Sequence, residues 1–363
     1  PGFVPGGERL VHDTGRIVED AEVPHLVGEL VRERVAVTVR HPDQHAEARS
    51  DRTGPFDRLT VDHVDARPEN PLHQCSHGRK PATHGPVGDN GRVSDTTIQL
   101  STTRVEAIIA PSAGGRLAQL VLDGIPVLLG PDDVDDDTPV IGWGSFPMVP
   151  WAGRIRDGQF TFDGTEYRLP ANDGNHAIHG VGVTAEWATT SVDVRSVELH
   201  LTLPADRTWP FGGHVAQRFD LDDTGLTTTM RVTAAERPFP VAFGWHPWFR
   251  KPTSIGFSPT AMYRRDGDHM AVDELVPVPE GPWDDCFLNT DPVTLRLGDT
   301  SIRVTSDCDH WVVFDERSHA TCVEPQTGPP DAFNIAPHRL EPGESLSAWY
   351  RIERSATLAG TDR

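Results

Sequence analysis

After residue 96 the apolar positions fall into short runs that alternate with polar ones, and turn signals separate the runs. Residues 97–100 and 105–109 are two such runs, and 116–122 alternates around Leu117, Leu120 and Leu122. Residues 158–169 place Phe160 and Phe162 on one side of Asp163-Gly164, with Tyr167 and Leu169 on the other. Asp-Gly between two alternating runs predicts a tight hairpin, because such a turn needs residues that tolerate positive φ. Val197, Leu199, Leu201 and Leu203 share one face of a further strand, which Pro204 stops. Residues 218–221 and 226–232 flank Asp223-Thr224-Gly225 as a second hairpin, and 302–305, 311–314 and 345–352 follow as later strands. No long run with helical spacing competes with them. Many short strands without alternating helices predict an all-β fold, a large antiparallel β-sandwich over residues 96–363.

Residues 1–95 follow a different pattern. All nine tryptophans and all three tyrosines lie after them, and Phe3 and Phe56 are their only phenylalanines. Arg, Asp, His, Pro and Gly dominate, so little apolar surface is available to offset the entropy of ordering. The segment is predicted to be a poorly structured N-terminal extension. Leu26, Val27, Leu30 and Val31 at helical spacing, then Val35, Val37 and Val39 in alternation, are read as marginal elements within it. His41, His45, His73, His77 and His84 are irregularly spaced and are read as solvated.

Charge and cysteines narrow the partners. A formal charge of −21 argues against nucleic acid and anionic membrane surfaces, which both select basic patches. A small neutral or cationic ligand fits better. Cys75, Cys286, Cys308 and Cys322 form no C-x-x-C pair and no zinc-like spacing, so no metal site or redox motif is expected. Free thiols point to a reducing, cytoplasmic setting. No apolar run reaches the length of a membrane span. The start of the chain lacks the basic-then-apolar layout of a signal peptide.

Five places carry polar residues that strand packing does not require. The first is 147–158, where a proline-flanked loop presents Arg154 near Trp151; a guanidinium offers a fixed fork of donors suited to adjacent hydroxyls. The second is Asn172-Asp173-Gly174-Asn175-His176-Ala177-Ile178-His179-Gly180, whose glycines argue against a helical metal pair. The third is Phe243-Gly244-Trp245-His246-Pro247-Trp248-Phe249, one histidine among aromatics, with Trp245 and Trp248 offering flat faces for a sugar ring. The fourth pairs Asp284 and Asp285 beside Trp283. The fifth is Glu324, delivered by an apolar approach to the end of a strand. The proline-rich segment after it is expected to stop the strand and fix the carboxylate.

With these motifs in this order, the sequence resembles the aldose 1-epimerase (galactose mutarotase) family from about residue 96 to the C-terminus. Pro150-Trp151-Ala152-Gly153-Arg154-Ile155-Arg156-Asp157-Gly158, His176-Ala177-Ile178-His179-Gly180 and Gly244-Trp245-His246-Pro247-Trp248-Phe249 carry the resemblance, with Asp284-Asp285-Cys286-Phe287, Glu324-Pro325-Gln326 and Pro330-Asp331-Ala332-Phe333-Asn334. It implies a galactose mutarotase-like supersandwich with a sugar site on its concave face and no cofactor. It also implies Glu324 as the base at the anomeric hydroxyl and His246 as the acid at the ring oxygen. Arg154, His179 and Asp284 would hold the sugar hydroxyls, and Trp248 would lie against the ring. Many members have Asn where this chain has Gly153, so one hydroxyl contact is expected to be missing or replaced. The mechanism expects Glu324 ionised and His246 protonated at neutral pH. The activity implied is anomer interconversion of a free aldohexose. Alternatives are a hexose 6-phosphate 1-epimerase, for which Arg207, Lys251, Arg264 and Arg265 would supply the cationic patch, and a carbohydrate-binding protein without catalysis. A carbohydrate lyase or hydrolase using Asp284 with Glu324 is a third.

Overall fold

Alternation decides which side of each strand is buried. In His214–Leu221 the buried residues are Val215, Gln217, Phe219 and Leu221; in Gly225–Thr233, Leu226, Thr228, Met230 and Val232 are buried too. The antiparallel register sets Gln217 opposite Met230, Val215 opposite Val232 and Phe219 opposite Thr228, so the two buried rows meet on one face. The computed structural model describes residues 97–355, and repeats this logic across two large sheets.

The smaller sheet has eight strands, in the order Ala188–Asp193, Ser196–Thr202, His214–Leu221, Gly225–Thr233, Ser345–Arg354, Thr300–Ser306, Val293–Leu297 and Ser254–Gly256. The larger sheet has eleven strands. Ile98–Ser101, Val105–Ala110 and Arg116–Leu122 form one side of it, Ile125–Pro126 pairs on Arg116–Leu122, and Ala271–Val276 closes the far edge. Its middle strands are β1 (Ser145–Met148), β2 (Gly244–Arg250), β3 (Ala261–Arg265), β4 (Asp284–Leu288), β5 (His310–Phe314) and β6 (Ala320–Gln326), in the spatial order β1-β2-β6-β5-β4-β3.

Side chains from the two sheets interdigitate between them. The Trp245 ring on β2 packs 4.9 Å from that of Tyr350 in the smaller sheet, and its Nε1–H donates to Gln217 Oε1 at 2.9 Å. Tyr350 OH in turn bonds Ser145 Oγ on β1 at 2.7 Å. Phe219, Met230, Val304 and Ile352 fill the same layer.

The large antiparallel sandwich is therefore the fold expected from periodicity, and both hairpins form, at Gln159–Phe162 with Thr165–Arg168 and at His214–Leu221 with Gly225–Thr233. Among the described residues the only α-helix is the single turn Ala332–Ile335, and no helix is long and apolar enough to cross a membrane. The extension expected over residues 1–95, with its histidines, lies outside the described residues.

Candidate active site

The site is a consequence of register. Trp248 pairs with Cys322 and Gly244 with Gln326, so His246 falls midway between these pairs, beside Glu324. Glu324 in turn pairs with Val312, and Phe314 pairs with both Cys322 and Asp284. His246, Trp248, Cys322, Glu324, Gln326, Phe314 and Asp284 thus share one face of the large sheet, while Trp245, one residue out of phase, points into the core. His246 and Glu324 belong to strand interiors, His246 paired with Phe146 on β1 and Glu324 with Val312 on β5, while the pairing between β2 and β6 is interrupted between Gly244 and Trp248.

This corrects two expectations. Glu324 does not end a strand: β6 runs through Pro325 to Gln326, because the ladder to β2 and β5 continues past the proline. Trp245 cannot stack on a ligand, since it is 1% exposed and bonded within the core. Trp248 does lie on the site face. Its ring stacks on His246 with centroids 5.3 Å apart, and its Nε1–H is fixed to Ile141 O at 2.8 Å.

His246 Nε2 stands 3.2 Å from Glu324 Oε1, and both residues are buried. Phe146 stacks on the other face of the imidazole at 4.7 Å, and His179 meets it edge-on at 5.1 Å. Gln326 Nε2 donates a long hydrogen bond of 3.4 Å to Glu324 Oε2. Burial pushes the Glu324 carboxyl well above the ordinary carboxylate range, and the Asp284 charge pushes in the same direction. Burial also lowers the His246 imidazole to about 3, with the buried Arg116 guanidinium acting in the same sense. Each side chain alone therefore resists its charged form. A low-titrating imidazole in contact with a high-titrating carboxyl favours a state in which the two share one proton. Burial of both groups thus works against the expected division into carboxylate and imidazolium.

Arg154 and His179 come from two short strands that pair with each other, Arg154–Ile155 and Ala177–Ile178. Asn172 braces this pair: its Oδ1 accepts from Ile178 N–H at 2.7 Å and its Nδ2 donates to Ile178 O at 3.1 Å. Arg154 Nε donates to Asp173 Oδ2 at 2.6 Å, and the guanidinium is half-exposed. Its charge lowers the His179 imidazole and opposes the rise of the Asp284 and Glu324 carboxyls. His179 is buried with φ of 63°, and burial, followed by His246 and Arg154, holds its imidazole well below the usual range. Gly180 makes that turn possible: its φ is 73°, and a Cβ there would sit 2.0 Å from Val149 O. Gly153 has φ of 64°, and a Cβ would lie 2.8 Å from Pro330 Cβ, so the close approach of Pro330 disfavours any side chain at this position.

The segment after Glu324 has a different task from the one expected. Asp331 N–H donates to Arg154 O at 2.7 Å, and Asp331 Oδ1 accepts from Arg156 N–H at 3.0 Å. Thr327 N–H donates to Phe243 O at 2.8 Å. The proline-rich turn therefore clamps the Arg154 loop onto the sheet, whereas Glu324 is fixed by the ladder. His176 stays outside the site, where its Nδ1 accepts from Asp157 N–H at 3.0 Å.

Asp284 opens β4 on the site face, partly exposed, with Arg265 Nη1 at 3.2 Å; Arg265 Nε also meets the less exposed Asp285 at 2.8 Å. Desolvation raises the Asp284 carboxyl above its ordinary value. Sequence reasoning missed Phe146, Gln326 and Asp173. Phe146 was signalled only by register, whereas Gln326 and Asp173 lay inside motifs without a marked role.

Comparisons with known proteins bear on the family and the fold. A family model for aldose 1-epimerase matches residues 96–353. The chain belongs to the aldose 1-epimerase family. The solved galactose mutarotase-like protein of Clostridium acetobutylicum superposes with a TM-score of 0.64 at 19% identity, covering 72% of this chain and 96% of that one. Galactose 1-epimerase of Lactobacillus acidophilus superposes at 0.62 with 17% identity, covering 72% and 94%. These likenesses establish the shared fold. Among curated sequences, the uncharacterized Escherichia coli protein YphB is 35% identical over 107 residues, 29% of this chain and 36% of YphB. A second E. coli protein, YihR, also uncharacterized, is 29% identical over 124 residues, 34% of this chain and 39% of YihR. The chain thus aligns with little more than a third of the length of either relative.

Proposed function

We propose that this protein is an aldose 1-epimerase that interconverts the α and β anomers of a free aldohexose by opening and closing the ring. The observation that carries this reading is the buried His246–Glu324 pair, 3.2 Å apart, on the sheet face that also bears Asp284, with His179 edge-on to the imidazole. Ring opening removes a proton from O1 and adds one to O5, and both oxygens are bonded to C1. A carboxylate and an imidazole in direct contact suit two acceptors on one carbon. In the ionised arrangement Glu324 takes the O1 proton while His246 gives its own to O5, the C1–O5 bond breaks, and the aldehyde forms. Rotation about C1–C2 and the reverse transfers close the ring on the other face. The pair ends with the one proton it began with.

The half-exposed Arg154, the buried His179 beside His246 and Asp284 across the face would hold the ring hydroxyls, and Trp248 would lie against the apolar edge. A 6-phosphate substrate is less well served. Arg265 already faces both Asp284 and Asp285, Arg264 is paired with Glu274 at 2.6 Å, and Lys251 is bonded to Asp315 O at 2.5 Å. Polarimetry on fresh α-D-glucose, α-D-galactose and glucose 6-phosphate tests the reading. Glu324→Gln and His246→Asn should each lower kcat by about 10²–10⁴, the usual worth of a positioned acid or base. A near-wild-type rate in either variant contradicts it, and sugar binding without rate enhancement in the unaltered chain would favour a binding protein.

A further inference from the structure

The sequence contains no metal-binding spacing, yet the sheet assembles a ligand set from strands far apart in the chain. Cys322 precedes Glu324 by two residues on β6, so both side chains project from the same face, and His246 approaches from β2. One donor atom from each, the imidazole nitrogen, the thiol sulfur and a carboxylate oxygen, all lie within 4.8 Å of one another. We propose that His246, Cys322 and Glu324 form a binding site for a zinc-class divalent ion, and that an ion held there blocks the site to sugar.

Three features support this assignment. Zinc bonds nitrogen, oxygen and sulfur at ~2.0–2.3 Å, which separates ligand atoms on a tetrahedron by roughly 3.3–3.7 Å. The imidazole and carboxylate already stand 3.2 Å apart, and the thiol sulfur lies within 4.8 Å of a donor atom of each residue. One nitrogen, one sulfur and one oxygen form a borderline-soft set that selects zinc or cobalt over magnesium or calcium, and three protein ligands leave a fourth position open to water. The charges also close. A divalent cation with one thiolate, one carboxylate and a neutral imidazole is neutral as a unit, which suits a buried site better than any single charge. Binding releases two protons, one from the Cys322 thiol and the one shared by Glu324 and His246, as expected when a cation takes ligands that are otherwise protonated.

The blocking half rests on the epimerase reading, because it requires that the same pair serve the sugar. The ion-binding half does not. Cobalt(II) titration of the metal-free full-length protein, followed by absorption, tests the site directly. One ion per chain is expected, with tetrahedral visible bands and a sulfur-to-cobalt charge-transfer band that added zinc abolishes. Cys322→Ser should remove the charge-transfer band and weaken the ion at least tenfold, whereas Cys286→Ser should keep both. Cys322→Ala, matched by near-ultraviolet dichroism, guards against a folding defect in the serine variant. In polarimetry, the ratio of rates with zinc and with chelator should be far below one for the unaltered chain and return towards one for Cys322→Ser. A wild-type titration without the charge-transfer band overturns the site, and so does a Cys322→Ser variant that retains the band. Equal zinc sensitivity in the two proteins overturns the blocking. A cobalt band that depends on Cys322, in a protein that mutarotates no sugar, would uphold the ion site and reject the epimerase reading instead.

Discussion

Among single residues, His246 is the most constrained in the site. Phe146 and Trp248 cover its two faces, His179 abuts its edge, and Glu324 meets its Nε2. Its environment makes a specific prediction about pH. A doubly protonated pair has no base for O1–H, and a fully deprotonated pair has no proton for O5. Activity therefore requires the one-proton state, whose acid limit is the lowered imidazole at about 3 and whose alkaline limit is the raised carboxyl. The acid limb of kcat/KM should therefore lie well below ~6.5, the ordinary imidazole value. An activity that rises with pH through that value would show that His246 titrates as a solvated histidine. The candidate residues themselves were legible in the sequence, since a histidine among aromatics and a carboxylate after an apolar run stand out. Their protonation was not, because it depends on burial by Phe146 and Trp248, which reach His246 only through the fold.

Among the elements, strands and hairpins followed from alternation, but the strands that matter most were the least regular ones. β2 carries two tryptophans, a histidine and a proline, and β6 is buried on both faces, so neither shows the polar–apolar alternation of a half-buried strand. Reading Glu324 as a strand end followed from the prolines after it, and the ladder overrode that local preference. The loop elements depend instead on backbone geometry. Gly180→Ala places a Cβ against Val149 O in a left-handed conformation and should destabilise the protein by about 1–3 kcal/mol. Denaturant melts measure this, and an unchanged midpoint would refute the packing argument. Asp331→Ala removes a side-chain clamp from the Arg154 loop without touching β6. It should lower kcat/KM by about tenfold to a hundredfold, since misplaced positioning groups cost rates on that scale. An unaltered kcat/KM would show that the loop holds its place without the Asp331 side chain.

For the whole molecule, the sandwich explains why residues far apart in sequence, such as His246 and Glu324, meet over one face. The joint between the two sheets at Trp245, Gln217 and Tyr350 sets the plane on which β2 lies. Trp245→Phe keeps the ring but orphans Gln217 Oε1, and should cost about 1–3 kcal/mol of stability. A thermal melt unchanged by that substitution would argue against the joint. The central claim is that Glu324 and His246 act as one unit sharing one proton. Groups that act as a unit are strongly non-additive, so removing the second should cost little once the first is gone. Polarimetric mutarotation rates for the unaltered chain, Glu324→Gln, His246→Asn and the double variant test this most directly. The account predicts that the double variant is no slower than the slower single one. Losses that multiply in the double variant would mean two independent groups, and would contradict it.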